Sequence, residues 1–209
     1  MLMLSAVAAV GAWLASDGRD IRYARGNDLV STLLQRARSR DVEAQVQLGR
    51  MYDEGDGILQ DSKEAAKWYA QAAQAGNLEA KYLYALALME GRGVVQDYQA
   101  AFTWLEAAAK GGHPAAEFQL GRMYYKGMGI PVDKAKAYIW FNLAAARGNE
   151  EALRIRDVAL RQIPPGQVNE AQDAARKLHD EMSGLTGPAP DRARVTESAP
   201  NPDGEPDEK

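Results

Sequence analysis

The sequence predicts an all-α fold in which helical hairpins stack into a solenoid, and three observations predict it. The chain resembles itself when it is shifted by 36 residues, a Gly-x-Gly corner returns at that interval, and tryptophans and alanines follow the same spacing. The corners are Gly55-x-Gly57, Gly91-x-Gly93 and Gly127-x-Gly129, and the tryptophans are Trp68, Trp104 and Trp140. A catalytic or phosphate-binding loop does not need three copies at a fixed interval, whereas a fold built by stacking one unit does.

The composition fits one globular domain and excludes several classes of function. The 209 residues are 46% hydrophobic and 26% charged, with a net charge of −4 and no cysteine. Residues 184–209 hold six acids and three bases, so this segment supplies −3 of the charge and the rest of the chain is close to neutral. A neutral body has no basic face for nucleic acid. Without cysteine there is no disulfide, thiol nucleophile or cysteine-ligated metal.

The first 16 residues, MLMLSAVAAVGAWLAS, carry no charged side chain. This run is shorter than the roughly 20 apolar residues of a membrane-spanning helix, and Val10-x-Ala12 offers a small-residue cleavage site, so 1–16 is interpreted as a signal peptide. No Lys or Arg precedes the run, which leaves two alternatives open: an uncleaved anchor, or a buried apolar cap on the first helix. Transient contact of this segment with a membrane is also expected. A signal peptide predicts a periplasmic or otherwise exported protein, and the alternatives include a cytoplasmic one.

Residues 17–43 are expected to form a capping region at the start of the solenoid. The segment 27–39 has the pattern of a degenerate second helix, and the sequence SRDVEAQ that follows is typical of the entry into a first helix. A cap is needed because the end of a solenoid otherwise exposes an apolar face.

Each unit is expected to contain a helix A and a helix B. In the first unit helix A covers 44–54, with Ala44, Leu48 and Tyr52 on one face. The Gly-x-Gly corner ends this helix, because glycine adopts the positive φ that lets the chain reverse.

Helix B is expected to begin after Asp61, which caps it, while Glu64 completes a capping box. Its inward face carries small residues and one tryptophan: Ala65, Trp68, Ala72 and Ala73. The alanines let the helices approach closely, and the tryptophan fills the space between layers. Gly76 ends the helix, and the next unit begins.

These positions resemble the Sel-1-like repeat, a relative of the tetratricopeptide repeat. Its pattern is A-x3-L-G-x2-Y-x2-G-x-G, then an Asp, then A-x2-W-x3-A-A-x2-G-x3-A. The third unit follows the pattern at Ala116, Leu120, Gly121, Tyr124, Gly127, Gly129, Asp133, Ala137, Trp140, Ala144, Ala145 and Gly148. The first unit fits equally well, and the second departs in helix A, with Tyr84, Ala85 and Leu88 in place of Leu, Gly and Tyr.

The resemblance implies a right-handed α-solenoid of helix-turn-helix repeats whose members mostly bind other proteins. It places three units of 36 residues at 44–79, 80–115 and 116–151.

Residues 152–183 are expected to cap the far end with two helices. The first is a last helix A at 152–162, which Pro164 and Pro165 end. The second has one apolar stripe, made by Val168, Ala171, Ala175, Leu178 and Met182. Residues 184–209 are rich in proline and acidic residues, so this tail is expected to be disordered.

No catalytic, cofactor or metal site is predicted. His113 is expected to be an exposed helix-start residue, and His179 is expected on a solvated edge of the last helix. Asp53, Glu54 and Asp56 cluster near the first corner, but the other units lack this cluster, so it is interpreted as an unpaired, solvated rim. Two histidines without cysteine do not make a conventional zinc site, and neither has a plausible nucleophile beside it.

The remaining candidate is the surface of the A helices, which line the concave face of a solenoid. The side chains that packing does not use are predicted to contact a partner: Gln47, Arg50, Met51 and Glu54 in the first unit, Leu83, Leu86, Ala87 and Glu90 in the second, and Gln119, Arg122, Met123 and Lys126 in the third. Arginine and methionine around a small apolar centre suit a peptide or a helix.

The sequence therefore predicts a monomeric, non-catalytic scaffold that binds a protein or peptide in this groove, as part of a bacterial envelope complex. A cytosolic adaptor of the same fold is the alternative. A hydrolase is a remote alternative, because no catalytic constellation is found.

Overall fold

The structure is a computed structural model that describes residues 20–184, with side chains from residue 29 onward. The predicted signal peptide at 1–16 and the predicted tail beyond Gly184 lie outside the described residues. Within the described part, none of the helices combines the length and the apolar character needed to cross a membrane.

All regular structure between residues 20 and 184 is helical, which confirms the all-α prediction. The helices are α1 (Asp20–Arg38), α2 (Val42–Glu54), α3 (Ser62–Gln74), α4 (Leu78–Glu90), α5 (Tyr98–Lys110), α6 (Pro114–Lys126), α7 (Lys134–Ala146), α8 (Glu150–Leu160) and α9 (Val168–Met182). A short 3-10 turn, Pro165–Gln167, precedes α9.

Each helix from α1 to α7 packs against the next, so the hairpins stack as a solenoid. Helix A is α2, α4, α6 and α8, and helix B is α3, α5 and α7. In the first unit helix A starts at Val42 rather than at the predicted Ala44, because Asp41 caps it by accepting a hydrogen bond from the Ala44 amide at 3.1 Å.

The corner between helix A and helix B is closed by backbone hydrogen bonds. Gly55 adopts φ 75° and donates to the Met51 carbonyl, which ends α2 in the left-handed region. Further along, the Asp61 amide donates to the Tyr52 carbonyl at 2.8 Å. The equivalent bonds, Asp97 to Leu88 and Asp133 to Tyr124, are both 2.9 Å long, so the same corner recurs in every unit.

This corner bond explains why the predicted capping box is wrong. Asp61 does cap α3, since its Oδ1 accepts from the amides of Lys63 and Glu64 at 2.9 and 3.2 Å. The other half of a capping box needs the Asp61 amide, and that amide is already bonded to helix A. Glu64 forms an ion pair with Lys67 instead.

The deepest large side chain of helix B is the residue after the tryptophan. These residues are Tyr69, Leu105 and Phe141, with exposures of 3%, 0% and 0%. Trp140 is buried, whereas Trp68 and Trp104 are half-buried and pack against the core from its edge, so the predicted inward position is confirmed for all three but full burial for Trp140 alone. Helix B turns its alanines and the residue after the tryptophan toward the core. Consecutive residues of a helix are about 100° apart, so the tryptophan points to one side of the core.

The size of this deepest residue is matched to the residue that it faces on helix A. The pairs are Gly49 with Tyr69, Ala85 with Leu105, and Gly121 with Phe141. A Cβ on Gly49 would lie 2.5 Å from Tyr69 Cε1, so the aromatic ring requires glycine opposite it. In the second unit Ala85 and Leu105 are both fully buried, because the smaller leucine leaves space for the alanine methyl group.

The second glycine of a corner makes the contact between units. A Cβ on Gly93 would overlap the Ser62 carbonyl group of the preceding unit and lie 2.6 Å from the Lys63 nitrogen. Gly129 packs in the same way, since its Cβ would lie 2.5 Å from Tyr98 Cβ. Such a close approach is possible only without a side chain, so these glycines set the spacing between units.

Additional helices cover both ends of the stack. At the start, α1 takes the position of a helix B, and its Leu33 and Ala37 are buried with Ala44 and Leu48 of α2. At the far end α9 packs on α7. Its predicted apolar stripe is confirmed, because five side chains contact the core: Val168, Ala171, Ala175, Leu178 and Met182.

Gly93→Ala is expected to destabilise the protein more than Gly57→Ala. Both glycines have positive φ, 70° and 68°, so a backbone strain of about 1–2 kcal/mol is common to both variants. Among the described residues, a Cβ on Gly57 meets nothing closer than Met51 Cε at 3.6 Å. Urea denaturation should show a further loss of about 2 kcal/mol for Gly93→Ala. Equal losses would contradict the contact between units.

Gly49 and Tyr69 are expected to be coupled in a double-mutant cycle. Gly49→Ala drives a methyl group into the tyrosine ring and should cost about 1–3 kcal/mol. Tyr69→Leu removes buried volume and should also cost about 1–3 kcal/mol. The double variant reproduces the alanine–leucine pair of the second unit, so its loss of unfolding free energy should fall below the sum by about 1 kcal/mol or more. If the two losses of unfolding free energy simply add, the sizes of residues 49 and 69 are energetically independent.

Candidate functional site

Successive A helices lie side by side and are joined by side-chain contacts. Asn77, which caps α4, donates to Glu43 of α2 at 3.0 Å. Arg50 of α2 forms an ion pair with Glu79 of α4, and Glu79 also contacts His113 Nε2 at the start of α6, at 2.8 Å. The outward side chains of α2, α4 and α6 therefore form one continuous surface.

The structure leaves most of the predicted binding residues accessible on this surface. The exposed ones are Gln47, Arg50, Glu54, Glu90 and Lys126. The half-buried ones are Met51, Leu83, Leu86, Gln119 and Arg122. These ten residues are called the A-helix face from here on.

Met123 and Ala87 do not belong to this face, which corrects the prediction for both. Met123 is fully buried and Ala87 is 4% exposed. Ala116, Leu120 and Met123 follow each other at four- and three-residue steps, which is the spacing of one inward helical stripe. A partner on the surface cannot contact the Met123 side chain.

The His113 side chain is mostly buried, so His113 is not the exposed residue that the sequence predicts. Its side chain is 14% exposed, and its ring stacks on Tyr82 with 4.9 Å between centroids. Nδ1 accepts from the Ala116 amide at 3.2 Å, so His113 does start α6 as its cap. The proton of the neutral ring is therefore on Nε2, which donates to Glu79 Oε2 at 2.8 Å.

Glu79 connects all three units electrostatically. Partial burial by itself raises the pKa of its carboxyl, but the hydrogen bonds that His113 and Arg50 donate, together with the charge of Arg50, outweigh burial and hold the pKa below its usual value. The carboxylate is thus ionised at neutral pH, and it balances the charge of Arg50 on the A-helix face.

Arg122 differs from Arg50, the equivalent residue two units earlier, because Arg122 has no carboxylate partner among the described residues. Its Nη1 donates to Gln119 Oε1 at 3.0 Å, and its guanidinium carbon lies 5.9 Å from the centre of the Phe118 ring. These contacts hold the side chain on the surface and leave its charge available to a ligand.

Asp53 is ion-paired, which corrects the prediction of an unpaired, solvated rim. Arg92, the middle residue of the second corner, donates from Nη1 to both carboxylate oxygens of Asp53 at 2.9 Å. The Asp53 side chain is 18% exposed. The sequence pattern did not indicate this pair, because neither residue recurs in the other units. Glu54 and Asp56 are exposed, as predicted.

Glu117 is a buried acid of α6 that the sequence analysis missed. Arg147 Nε donates to its Oε1 at 2.9 Å, while Oε2 has no hydrogen-bond partner among the described residues. Burial raises the pKa of Glu117, and the charge of Arg147 opposes that shift. In the described part of the chain, no group of three or more acidic or histidine side chains is placed to hold a metal ion.

Three segments of the chain match the family model described as Sel1 repeat, at residues 42–77, 78–113 and 114–149. Each matched segment starts at the first residue of a helix A, two residues before the start of the predicted unit. No curated protein sequence matches the chain.

Two solved structures are similar to this chain. A Sel1 repeat protein from Oxalobacter formigenes is 40% identical, with a TM-score of 0.56, over 61% of this chain and 96% of that one. The second is c5321, a protective antigen present in uropathogenic Escherichia coli strains and displaying an SLR fold. It is 27% identical, with a TM-score of 0.66, over 84% of this chain, and the match spans 38% of its own length.

Glu79→Gln and Glu117→Gln are expected to change the acid sensitivity of the fold in opposite directions. The pKa of Glu79 is lowered by folding, so its stabilising contribution is present above its unfolded pKa and is lost as the pH falls through the folded pKa. The pKa of Glu117 is raised, so its contribution is present below the unfolded pKa and is lost as the pH rises through the folded pKa.

Urea denaturation from about pH 7 to about pH 3 measures this difference. The acid-induced loss of unfolding free energy should be shallower than wild type in Glu79→Gln and steeper than wild type in Glu117→Gln. The same pH profile for all three proteins would contradict these assignments.

Proposed function

The chain belongs to the Sel1 repeat family, and from that membership we propose that it is a non-catalytic scaffold that binds a protein or peptide segment along the A-helix face. Sel1 repeat proteins are generally scaffolds for protein–protein interaction. A solenoid offers its partner a surface to which every unit contributes one helix. The observation that carries the proposal is this row of side chains, which packing inside the solenoid leaves accessible.

The centre of the A-helix face is apolar and its flanks are polar. Leu83 and Leu86 of α4 are half-buried, and the equivalent residues of α2 and α6 are glutamines and arginines. Interfaces between proteins have a similar arrangement, an apolar centre inside a polar rim. A peptide or helix that places an apolar side chain on Leu83 and Leu86 would remove this surface from water.

The charges of the A-helix face indicate how the proposed partner is oriented. Glu79 balances Arg50, whereas Arg122 has no carboxylate partner in the described part of the chain and Lys126 is exposed one turn further along α6. The residues equivalent to Lys126 in α2 and α4 are glutamates. Glu90 of α4 is ion-paired with Arg92, whereas Glu54 of α2 is exposed. The proposed partner therefore carries an acidic side chain toward α6 and a basic side chain toward α2.

We propose that the protein is located in the bacterial cell envelope; the alternative is that it is an adaptor in the cytosol. The uncharged segment at 1–16 supports export, and both similar structures come from bacterial proteins. N-terminal sequencing of the protein from its native host separates the two: a chain that begins near Trp13 supports export, and Met1 retained in a soluble cytosolic protein contradicts it.

Arg122→Glu is expected to abolish partner capture while the helical circular dichroism signal stays intact. The change replaces an unpaired cation of the face with an anion, and like charges facing each other across an interface cost several kcal/mol, so capture should fall more than tenfold. Arg50→Glu is a poorer test, because it also breaks the ion pair with Glu79.

Lys177→Glu is the matched control, since it makes the same charge change at a 79% exposed side chain on α9, outside the A-helix face. Quantitative mass spectrometry of pulldowns from the native host should find proteins that wild type and Lys177→Glu retain and Arg122→Glu loses. Equal capture by all three baits would contradict the proposed binding face.

A further inference from the structure

The four A helices begin in the same way, with a side chain that accepts a hydrogen bond from the amide three residues later. These capping residues recur at the interval of the repeat and are Asp41, Asn77, His113 and Asn149. In α4 and α8 an asparagine oxygen accepts from Ala80 and Ala152, both at 2.8 Å. In α6 the acceptor is His113 Nδ1, which lies 3.2 Å from the Ala116 nitrogen. A ring nitrogen therefore takes the place of an oxygen at one of the four helix starts.

Of these four caps, the histidine is the one that changes from an acceptor to a donor near neutral pH. A neutral imidazole has one nitrogen without a proton, whereas a protonated imidazole donates from both nitrogens. Histidine side chains gain this proton between about pH 8 and about pH 5. An asparagine amide does not titrate in this range. The hydrogen bond from the Ala44 amide lowers the pKa of Asp41, so Asp41 also remains an acceptor.

His113 also connects α6 to α4. Its Nε2 donates to Glu79 Oε2 at 2.8 Å, its ring stacks on Tyr82, and Arg50 of α2 pairs with the other Glu79 oxygen. These contacts do not need a neutral ring, because Nε2 carries a proton in both protonation states and an aromatic ring attracts a cation. Protonation therefore removes the bond to the Ala116 amide and leaves the contacts with α4 in place.

The other charged groups near His113 are held by partners of their own. Arg147, at the end of α7, lies against Gly112, where a Cβ would be 3.2 Å from its Nη2, and its Nε donates to Glu117 of α6. Lys110 of α5 forms an ion pair within its own helix. The backbone dipole of α6 places partial positive charge at the start of the helix. A protonated Nδ1 is therefore repelled by the same amides that a neutral Nδ1 caps.

We propose that His113 is a pH-sensitive contact between α4 and α6: the neutral ring both caps α6 and holds α4, whereas the protonated ring holds only α4. Protonation leaves the first turn of α6 without its side-chain cap. The proton needs no other acceptor, because Glu79 already accepts from Nε2.

The A-helix face is affected because α6 carries one side of it, and this step rests on the proposed function. Gln119 and Arg122 follow the first turn of α6, and Leu83 and Leu86 lie on α4. When the cap is lost, the position of the first pair relative to the second is less fixed. A partner that contacts both helices then binds more weakly, because it must order them on binding.

Amide hydrogen exchange of the full chain, followed by NMR, tests the contact without a partner. The protection factor of the Ala116 amide, which corrects for the effect of pH on the intrinsic rate, should fall about fivefold between about pH 7.5 and about pH 5.5. The Ala80 and Ala152 amides are controls within the same molecule, because asparagines cap them, and their protection should stay constant. Constant protection of Ala116 overturns the proposal.

His113→Asn is the matched variant, since it installs the cap that α4 and α8 already have. The variant should keep the Ala116 amide protected at both pH values. Glu117 is the neighbouring group that could titrate in the same range, because burial raises its pKa. A fall in Ala116 protection that persists in His113→Asn would assign the effect to Glu117 and overturn the proposal.

Pulldowns from the native host at the same two pH values test the effect on the A-helix face. Proteins that wild type retains and Arg122→Glu loses should be captured severalfold less at the lower pH, and His113→Asn should capture them equally at both. Equal capture by wild type at both pH values overturns the regulation of the face by His113. Capture that Arg122→Glu does not change contradicts the proposed function instead, so the two failures are distinguishable.

Discussion

The hydrogen bond from a corner aspartate amide to helix A is the contact on which the rest of the structure depends. Asp61, Asp97 and Asp133 donate to carbonyls in the last turn of the preceding helix, at 2.8, 2.9 and 2.9 Å. Those carbonyls have no partner within their own helix, so the bond satisfies them without water. It also fixes where helix B begins. Once the corner is fixed, the second glycine of the next unit packs against the start of helix B, and the stack continues.

The parts of the fold that recur as identical residues could be predicted from the sequence. The glycines, the aspartate caps and the alanines return every 36 residues, and the structure places them at corners, helix starts and helix contacts. The deepest side chain of helix B could not be predicted in this way, because the residue type differs between units. What recurs is the match in volume between this side chain and the residue that it faces on helix A. The pairs are Gly49 with Tyr69, Ala85 with Leu105, and Gly121 with Phe141.

The A-helix face was predictable as a surface but not as a set of contacts. Helical periodicity placed ten of twelve proposed residues where a partner could reach them, whereas Met123 and Ala87 lie in the core. The ion pairs Arg50 with Glu79 and Glu117 with Arg147 join residues 29 and 30 apart in the sequence, and no other unit repeats them. A periodic pattern cannot reveal such pairs, yet the first of them balances the charge of Arg50 on the A-helix face.

Amide hydrogen exchange at Asp61, Asp97 and Asp133 tests the role of the corner most directly. Amides in exposed connecting loops ordinarily exchange through low-energy openings, whereas amides bonded within a cooperative unit exchange slowly. The corner bond predicts that all three aspartate amides are protected to a degree close to that of the neighbouring helices. Leu59 and Val95, whose amides make no backbone hydrogen bond to the described residues, should exchange rapidly. Fast exchange of the aspartate amides beside protected helices would contradict the account.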